Sequence, residues 1–233
     1  MMKIGIIGAM EIEVAELREL MQDVKQEEIS SVIYYEGKIH GKDVIVARCG
    51  VGKVHAAVCA QTMILKYSPD VIINTGVAGS LNSKLDIGDL VISDFVVEHD
   101  MDTSPLGDPV GLISGINIIK IPSAKNIVRM INSAAKTIEN TDIFIGTIAS
   151  GDQFICNVER KNFIVDNFDA LCTEMEGAAI GHVCYLNKVD FCIVRAISDK
   201  ADGSAHMDFP TFVKIAAEKS TRLMNNFLKN IDN

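Results

Sequence analysis

Hydrophobic positions along the chain fall into short apolar runs that alternate with segments of helical spacing. Lys3–Ile7 predicts a buried strand ended by Gly8, and Met10–Met21 a helix with Val14, Leu17, Leu20 and Met21 on one face. Ser31–Glu36 and Asp43–Arg48 read as paired strands around a Gly37–Gly41 turn. After the C-G-V-G turn, Val54–Leu65 predicts an apolar helix. Asp70–Asn74 is a strong strand candidate, followed by a glycine-rich turn at T-G-V-A-G, and Leu90–Val97 is another strand. Between His99 and Pro122 the prolines and glycines predict a long excursion, of the kind that is usually functional or disordered. Beyond it come a helix at Ala124–Ile138, a strand at Ile143–Ala149 ended by S-G-D, and a helix at Val158–Asn167. A short strand at Leu171–Glu174, a small-residue helix at Gly177–Leu186 and a strand at Phe191–Ile197 follow. A long amphipathic helix, Phe209–Ile231, closes the chain. Strands alternating with helices predict an α/β sheet with helices on both faces.

Composition narrows the possibilities. A length of 233 residues, 48% of them hydrophobic, suits one large α/β domain spanning 1–233. The net charge of −9, with no dense run of Lys or Arg, argues against nucleic acid and anionic membranes as partners. No apolar run reaches the roughly 20 residues of a spanning helix. The opening M-M-K-I-G-I-I-G-A, broken by Gly5 and Gly8, does not pattern as a signal peptide. Six cysteines (Cys49, Cys59, Cys156, Cys172, Cys184 and Cys192) form no C-x-x-C pair and sit mostly in apolar runs. They predict free, buried thiols in a reducing compartment, the cytoplasm.

Four predicted strand ends carry polar groups: Gly8 to Glu13, Thr75 to Gly79, Glu174 to Gly177, and Arg195 to Asp199. Ligands of open α/β sheets bind beyond the carboxyl ends of strands, so the four predict one site. Each has a simpler explanation. Glu11 and Glu13 would favour a helix dipole, and Gly76 and Gly79 would permit tight turns. Arg195, however, lies inside the apolar run F-C-I-V-R-A-I, where a charge needs a partner, and Glu176 is a natural one. Gly5 and Gly8 lack the dinucleotide-binding spacing. No G-x-S-x-G elbow anchors a serine triad. The five histidines lack metal-ligand spacing; His99, Asp100 and Asp102 are better read as a solvated loop start than as a hard-metal site. No metal and no organic cofactor is expected.

Taken together, I-G-I-I-G-A-M-x-x-E, G-V-G-K-V, V-I-I-N-T-G-x-A-G, S-G-D-x-F-I, E-M-E and R-A-I-S-D are highly specific. Carrying them nearly end to end, the chain resembles the bacterial methylthioadenosine/S-adenosylhomocysteine nucleosidases of the nucleoside phosphorylase/hydrolase superfamily. The resemblance implies a three-layer αβα sandwich around a central mixed β-sheet, nucleoside phosphorylase-like, and a homodimer. It implies a hydrolase that cleaves the N-glycosidic bond of adenine thionucleosides without cofactor. By position, Glu13 would be the base that activates water, and Asp199 the acid that protonates adenine, oriented by Ser198. Glu176 would hold ribose hydroxyls, with Arg195 nearby and Met175 against the sugar. Phe154 would stack on adenine, the Ile155 backbone would bond its edge, and Ala9, Met10, Val77, Gly79 and Phe209 would complete the pocket. The roles fit the chemistry. Adenine leaves poorly until protonated, the bond breaks through an oxocarbenium-like state that carboxylates stabilise, and water needs a base. Two positions depart from the family pattern: Val77, commonly serine, and Leu106, near a frequent aromatic. In the family, the Met101–Pro122 region helps to build the neighbouring subunit's site, and here its apolar residues Met101, Leu106, Val110, Leu112 and Ile113 predict part of a dimer interface. A phosphorylase on the same fold is the runner-up, and a nucleoside-binding sensor without catalysis is a third reading. Glutamates near the first strand end disfavour phosphate, since each would repel it by about 1 kcal/mol at 4 Å even at water's dielectric.

Overall fold

The computed structural model describes residues 2–231 and, at positions 206 and 207, the backbone alone. In chain order the elements are β1 (Ile4–Gly8), α1 (Glu11–Glu19), β2 (Gln22–Ile29), β3 (Val32–Ile39), β4 (Lys42–Arg48), α2 (Lys53–Tyr67), β5 (Val71–Ser80), β6 (Leu90–Glu98) and β7 (Ile121–Pro122). They continue with α3 (Lys125–Ala135), β8 (Ile143–Ser150), α4 (Val158–Phe168), β9 (Ala170–Glu174), α5 (Gly177–Asn187), β10 (Asp190–Asp199) and α6 (Ala205–Asn230).

Apolar runs make the central strands because both sheet faces are covered. Ile4, Ile6, Val71 and Ile73 meet Val14 and Leu17 of α1 and Leu223, Met224 and Phe227 of α6. The alternate residues Ile7, Ile45, Ile72 and Ile193 meet Ala56, Cys59 and Met63 of α2 and Ala178, Ile180 and Cys184 of α5. A strand buried on both faces loses the apolar/polar alternation and reads as a continuous hydrophobic run. The sheet is mixed, in the order β10-β6-β8-β9-β5-β1-β4-β3-β2, with β7 beside β6. Because β10 also pairs with β5, the strands β10, β6, β8, β9 and β5 close into a ring.

The expected three-layer mixed α/β architecture is present, with instructive local differences. β5 does not end at Asn74. It runs in parallel pairing with β10 as far as Gly79, so the T-G-V-A-G segment is strand rather than turn. β10 likewise extends to Asp199. Gly37 lies within β3, and the turn is at His40–Gly41. β2 has no counterpart in the sequence reading. Its residues are exposed, so no apolar pattern marks it, and pairing with β3 alone makes it a strand. α6 starts at Ala205 rather than Phe209 and passes through Pro210. A proline near a helix start removes one amide donor, and Ser204 ties down the leading turn by donating to Asp208 Oδ2 at 2.7 Å. In the excursion between β6 and β7, Ile113 is buried and Leu112, Met101 and Val110 are half-buried. Leu106 alone of the five predicted interface residues is largely exposed, at 84%. The excursion therefore turns most of its apolar side chains onto its own core.

Candidate active site

The carboxyl ends of β1, β5, β9 and β10 meet at a cavity of about 290 Å³. Glu13, in the first turn of α1, reaches back over the exit of β1. Its Oε2 accepts from the backbone N–H groups of Ala9 (2.8 Å) and Met10 (2.9 Å), and its Oε1 from that of Val77 (3.1 Å). Three amides thus converge on one buried carboxylate. Burial pushes its pKa up, opposed by Arg195 and by these three N–H groups. On the other side, Asp199 ends β10. Its Oδ2 accepts from Ser198 Oγ at 2.9 Å and its Oδ1 from Ala201 N–H at 2.9 Å. Burial raises the Asp199 pKa, while those two hydrogen bonds lower it.

β5 makes room for both carboxylates. A Cβ on Gly76 would lie 2.5 Å from Glu13 Oε1, and one on Gly79 2.7 Å from Asp199 Oδ1. Neither glycine has a positive φ. They are required for space in a strand, not for a turn.

The third carboxylate cluster surrounds Arg195, which is fully buried behind the cavity rather than lining it. Its expected partner, Glu176, lies within ion-pair reach, and Glu174 is a second, nearer partner. Arg195 Nη2 donates to Glu174 Oε2 and to Asn74 Oδ1, while Glu176 Oε2 stands 4.0 Å away. Glu174 also accepts from Ser150 Oγ and from the N–H of Gly177 (2.8 Å), fastening the start of α5. Glu174 is the last residue of β9 and Glu176 the N-cap of α5, so the two approach Arg195 from different elements. With Glu174 claiming the guanidinium, Glu176 is left buried beside a like charge, and its pKa is pushed up to about 8. Its Oε1 accepts from Gly52 N–H at 2.8 Å.

The remaining wall is apolar. Phe154 packs edge-on to Phe209 at 5.7 Å between ring centroids, and Ile155 and Met175 lie alongside. Every predicted site residue except Arg195 lines this one cavity: Ala9, Met10, Glu13, Val77, Gly79, Phe154, Ile155, Met175, Glu176, Ser198, Asp199 and Phe209. The sequence reading missed Val51, Gln153 and Thr173 as lining residues, and Ala78 and Glu174 fell within its strand-end clusters without being singled out. His99 and Asp100 serve the scaffold. His99 is buried against Gly151, and Asp100 pairs with Lys53. Two carboxylates with raised pKa values on opposite sides of an apolar slot suit acid–base cleavage of a flat, uncharged leaving group.

Fold and site together define an α/β enzyme of the Phosphorylase superfamily, whose family model matches residues 3–229. Over 231 residues the chain is 40% identical to the 5'-methylthioadenosine/S-adenosylhomocysteine nucleosidase of Shewanella halifaxensis, covering 99% of this chain and 100% of that one. The nucleosidase of that name from Neisseria meningitidis, crystallised with methylthio-immucillin-A, superposes with a TM-score of 0.95 at 35% identity, over 99% of this chain and 100% of that one. The futalosine hydrolase of Helicobacter pylori superposes at 0.93, also at 35% identity, over 99% and 98%. The chain belongs, within the superfamily, to the family of 5'-methylthioadenosine/S-adenosylhomocysteine nucleosidases.

Proposed function

We propose that this chain is an N-glycosidase that hydrolyses 5'-methylthioadenosine and S-adenosylhomocysteine, releasing adenine and the thioribose product. In this reading Asp199 protonates the adenine ring and Glu13 takes a proton from the attacking water. Glu176 holds the ribose hydroxyls, Phe154 with Phe209 flanks the base, and the Ile155 backbone bonds its edge. Met175 packs against the sugar. Arg195 acts from behind, neutralising Glu174 so that three buried carboxylates can share one cavity.

The observation that carries hydrolysis over phosphorolysis is the occupancy of the Ala9, Met10 and Val77 amides by Glu13. Converging N–H groups at a strand exit and a helix start form an anion cradle. Here the cradle is filled by a side chain that would also repel phosphate, and Val77 supplies no hydroxyl. The test is adenine release followed by ultraviolet absorbance, with and without phosphate. We expect cleavage of both thionucleosides at a rate independent of phosphate. Turnover that requires phosphate and yields a ribose 1-phosphate would support the phosphorylase instead. A chain that binds substrate without releasing adenine would be the non-catalytic sensor.

The whole chain, 1–233, is read as a single nucleosidase unit, with Met1 and positions 232–233 outside the described residues. We further read the chain as a cytoplasmic homodimer. All six cysteines are free, five of them buried, as suits a reducing compartment. Among the described residues no helix is long and apolar enough to cross a membrane. On α2, Val54, Val58 and Leu65 form an exposed stripe at helical spacing, with Val51 and Leu186 also exposed. A helix face of that kind usually meets a partner. We place the dimer contact there, with Leu106 as the excursion's contribution.

A further inference from the structure

Cleavage of a nucleoside needs the base and the sugar held at one fixed separation, and in this chain two different loops hold them. The loop ending at Gly52 bonds Glu176 through its N–H, and the loop running from Gly151 to Ile155 forms the wall against Phe209. Neither loop is regular structure. The sheet holds each at its root, through Gly50 N–H to the Ala9 carbonyl and Gly151 N–H to the Glu174 carbonyl, both at 3.2 Å. Beyond those roots a chain of charged contacts joins them. Lys53 Nζ lies 2.6 Å from Asp100 Oδ1 and 3.4 Å from Glu98 Oε2. Asp100 Oδ2 accepts from the Asp152 N–H at 2.9 Å, and Asp152 Oδ1 accepts from the Lys53 N–H at 2.7 Å. His182 Nδ1 stands 3.0 Å from the other oxygen of Glu98, which anchors the chain to α5.

Three features separate this cluster from an ordinary surface network. Its ionic members are poorly exposed, at 20% for the Lys53 side chain, 18% for Asp100 and 13% for Glu98, and only Asp152 at its outer side is exposed. It closes on itself, because Lys53 and Asp152 are each held by both backbone and side-chain contacts within the cluster or through Asp100. It also abuts the ribose contact directly, since Gly52 precedes Lys53, and a Cβ on Gly52 would lie 3.0 Å from Asp152 Oδ1.

We propose that Lys53, with Asp100 and Asp152, is a positioning residue that clasps the ribose-side loop to the nucleobase-side loop. The clasp sets the distance between Glu176 and the Phe154 platform. It touches no reacting atom. Its effect falls on ligands that span both loops and spares ligands that use only one, because a misplacement of about 1 Å can cost roughly 10²-fold in rate.

The inference rests on the nucleosidase reading for its substrate, so the experiment keeps the two apart. Wild-type chain, Lys53→Met and Lys53→Arg are compared for kcat/KM on 5'-methylthioadenosine, for affinity toward free adenine, and for amide exchange at 50–53 and 151–155. For Lys53→Met we expect kcat/KM to fall by about 10–100-fold, mostly in kcat, while adenine affinity changes by less than about twofold. Exchange in the two loops should quicken by about tenfold, with β5 still protected. Lys53→Arg, which keeps the charge, should recover most of the loss. Equal losses for adenine and nucleoside, unchanged kcat/KM, or no rescue by arginine would each overturn the clasp. Should Lys53→Met fail to fold, Asp100→Asn removes the same ion pair but keeps an acceptor for Asp152, and is read by the same outcomes. A wild-type chain that released no adenine would overturn the nucleosidase reading, and the exchange rates of the two loops would then decide the clasp alone.

Discussion

At the scale of single residues, the site is defined by what each carboxylate is given to hold. Glu13 is pinned by three amides, Asp199 by one hydroxyl and one amide, and Glu176 by a single amide beside a like charge. Both proposed catalytic groups have raised pKa values. In the proposed mechanism activity rises as Glu13 loses its proton and falls as Asp199 loses its own, so both limbs of the rate–pH profile should lie above the ordinary carboxylate range. Glu13→Gln should bind substrate and lower kcat by roughly 10²–10⁴-fold, as should Asp199→Asn. The two are separated by a nucleoside whose leaving group needs no protonation. Asp199→Asn should cleave it nearly as fast as wild type, whereas Glu13→Gln should not. Equal losses on both substrates would make Asp199 a positioning residue. Glu176 yields a prediction about stability instead. Its folded pKa of about 8 lies above the ordinary value of 4.5, so its contribution to stability is fully present below about 4.5 and is lost as pH rises through about 8. Glu176→Gln should therefore raise Tm at pH 9 and leave it little changed at pH 5. A Tm gain that is the same at both values would contradict the assignment.

At the scale of elements, β5 is the strand on which the chemistry hangs, and its two glycines set the distances. Gly76→Ala places a methyl against the tip of the Glu13 side chain, which must give up its amide partners to make room. The expected result is a folded protein with a lowered Tm, whose kcat is lower by about 10²-fold because the base is misplaced. Unfolding in place of inactivation would show that the strand, not the carboxylate, needs the glycine. This element also marks the limit of what the sequence made legible. The buried strands and amphipathic helices were readable because burial on a sheet face or helix stripe imposes a period. So were the polar residues at four strand ends, and twelve of the thirteen predicted site residues line one cavity. The glycines of T-G-V-A-G were misread as a turn, because glycine that makes space and glycine that permits φ > 0 look alike in sequence. Glu174 went unnamed as the nearer partner of Arg195, because carboxylates two positions apart look alike in sequence and only coordinates rank them. Lys53 stands in the G-V-G-K-V motif, but its role was not legible, as its partners lie 45 to 99 positions away.

At the scale of the whole molecule, the exposed α2 stripe makes a specific claim about assembly. Light scattering at micromolar concentration should give about twice the 25.3 kDa chain mass. Leu65→Glu should shift it toward one chain mass, because a charge buried at an apolar contact costs several kcal/mol. An unchanged mass would move the interface elsewhere. The sheet itself has a different bearing on assembly. Five of its strands are closed on one another, so the long free edge among the described residues is that of β2. Open strand edges are templates for pairing with further chains, the first step toward fibrils. On β2 that edge carries Asp23, Lys25, Glu27 and Glu28, all exposed, and Lys66 answers Glu27 from α2 at 3.0 Å. The polar strand that hydrophobic patterning could not detect is thus the segment that keeps crowded copies of this enzyme from zipping together, and replacing its charges with valine or isoleucine would expose that liability before it altered catalysis.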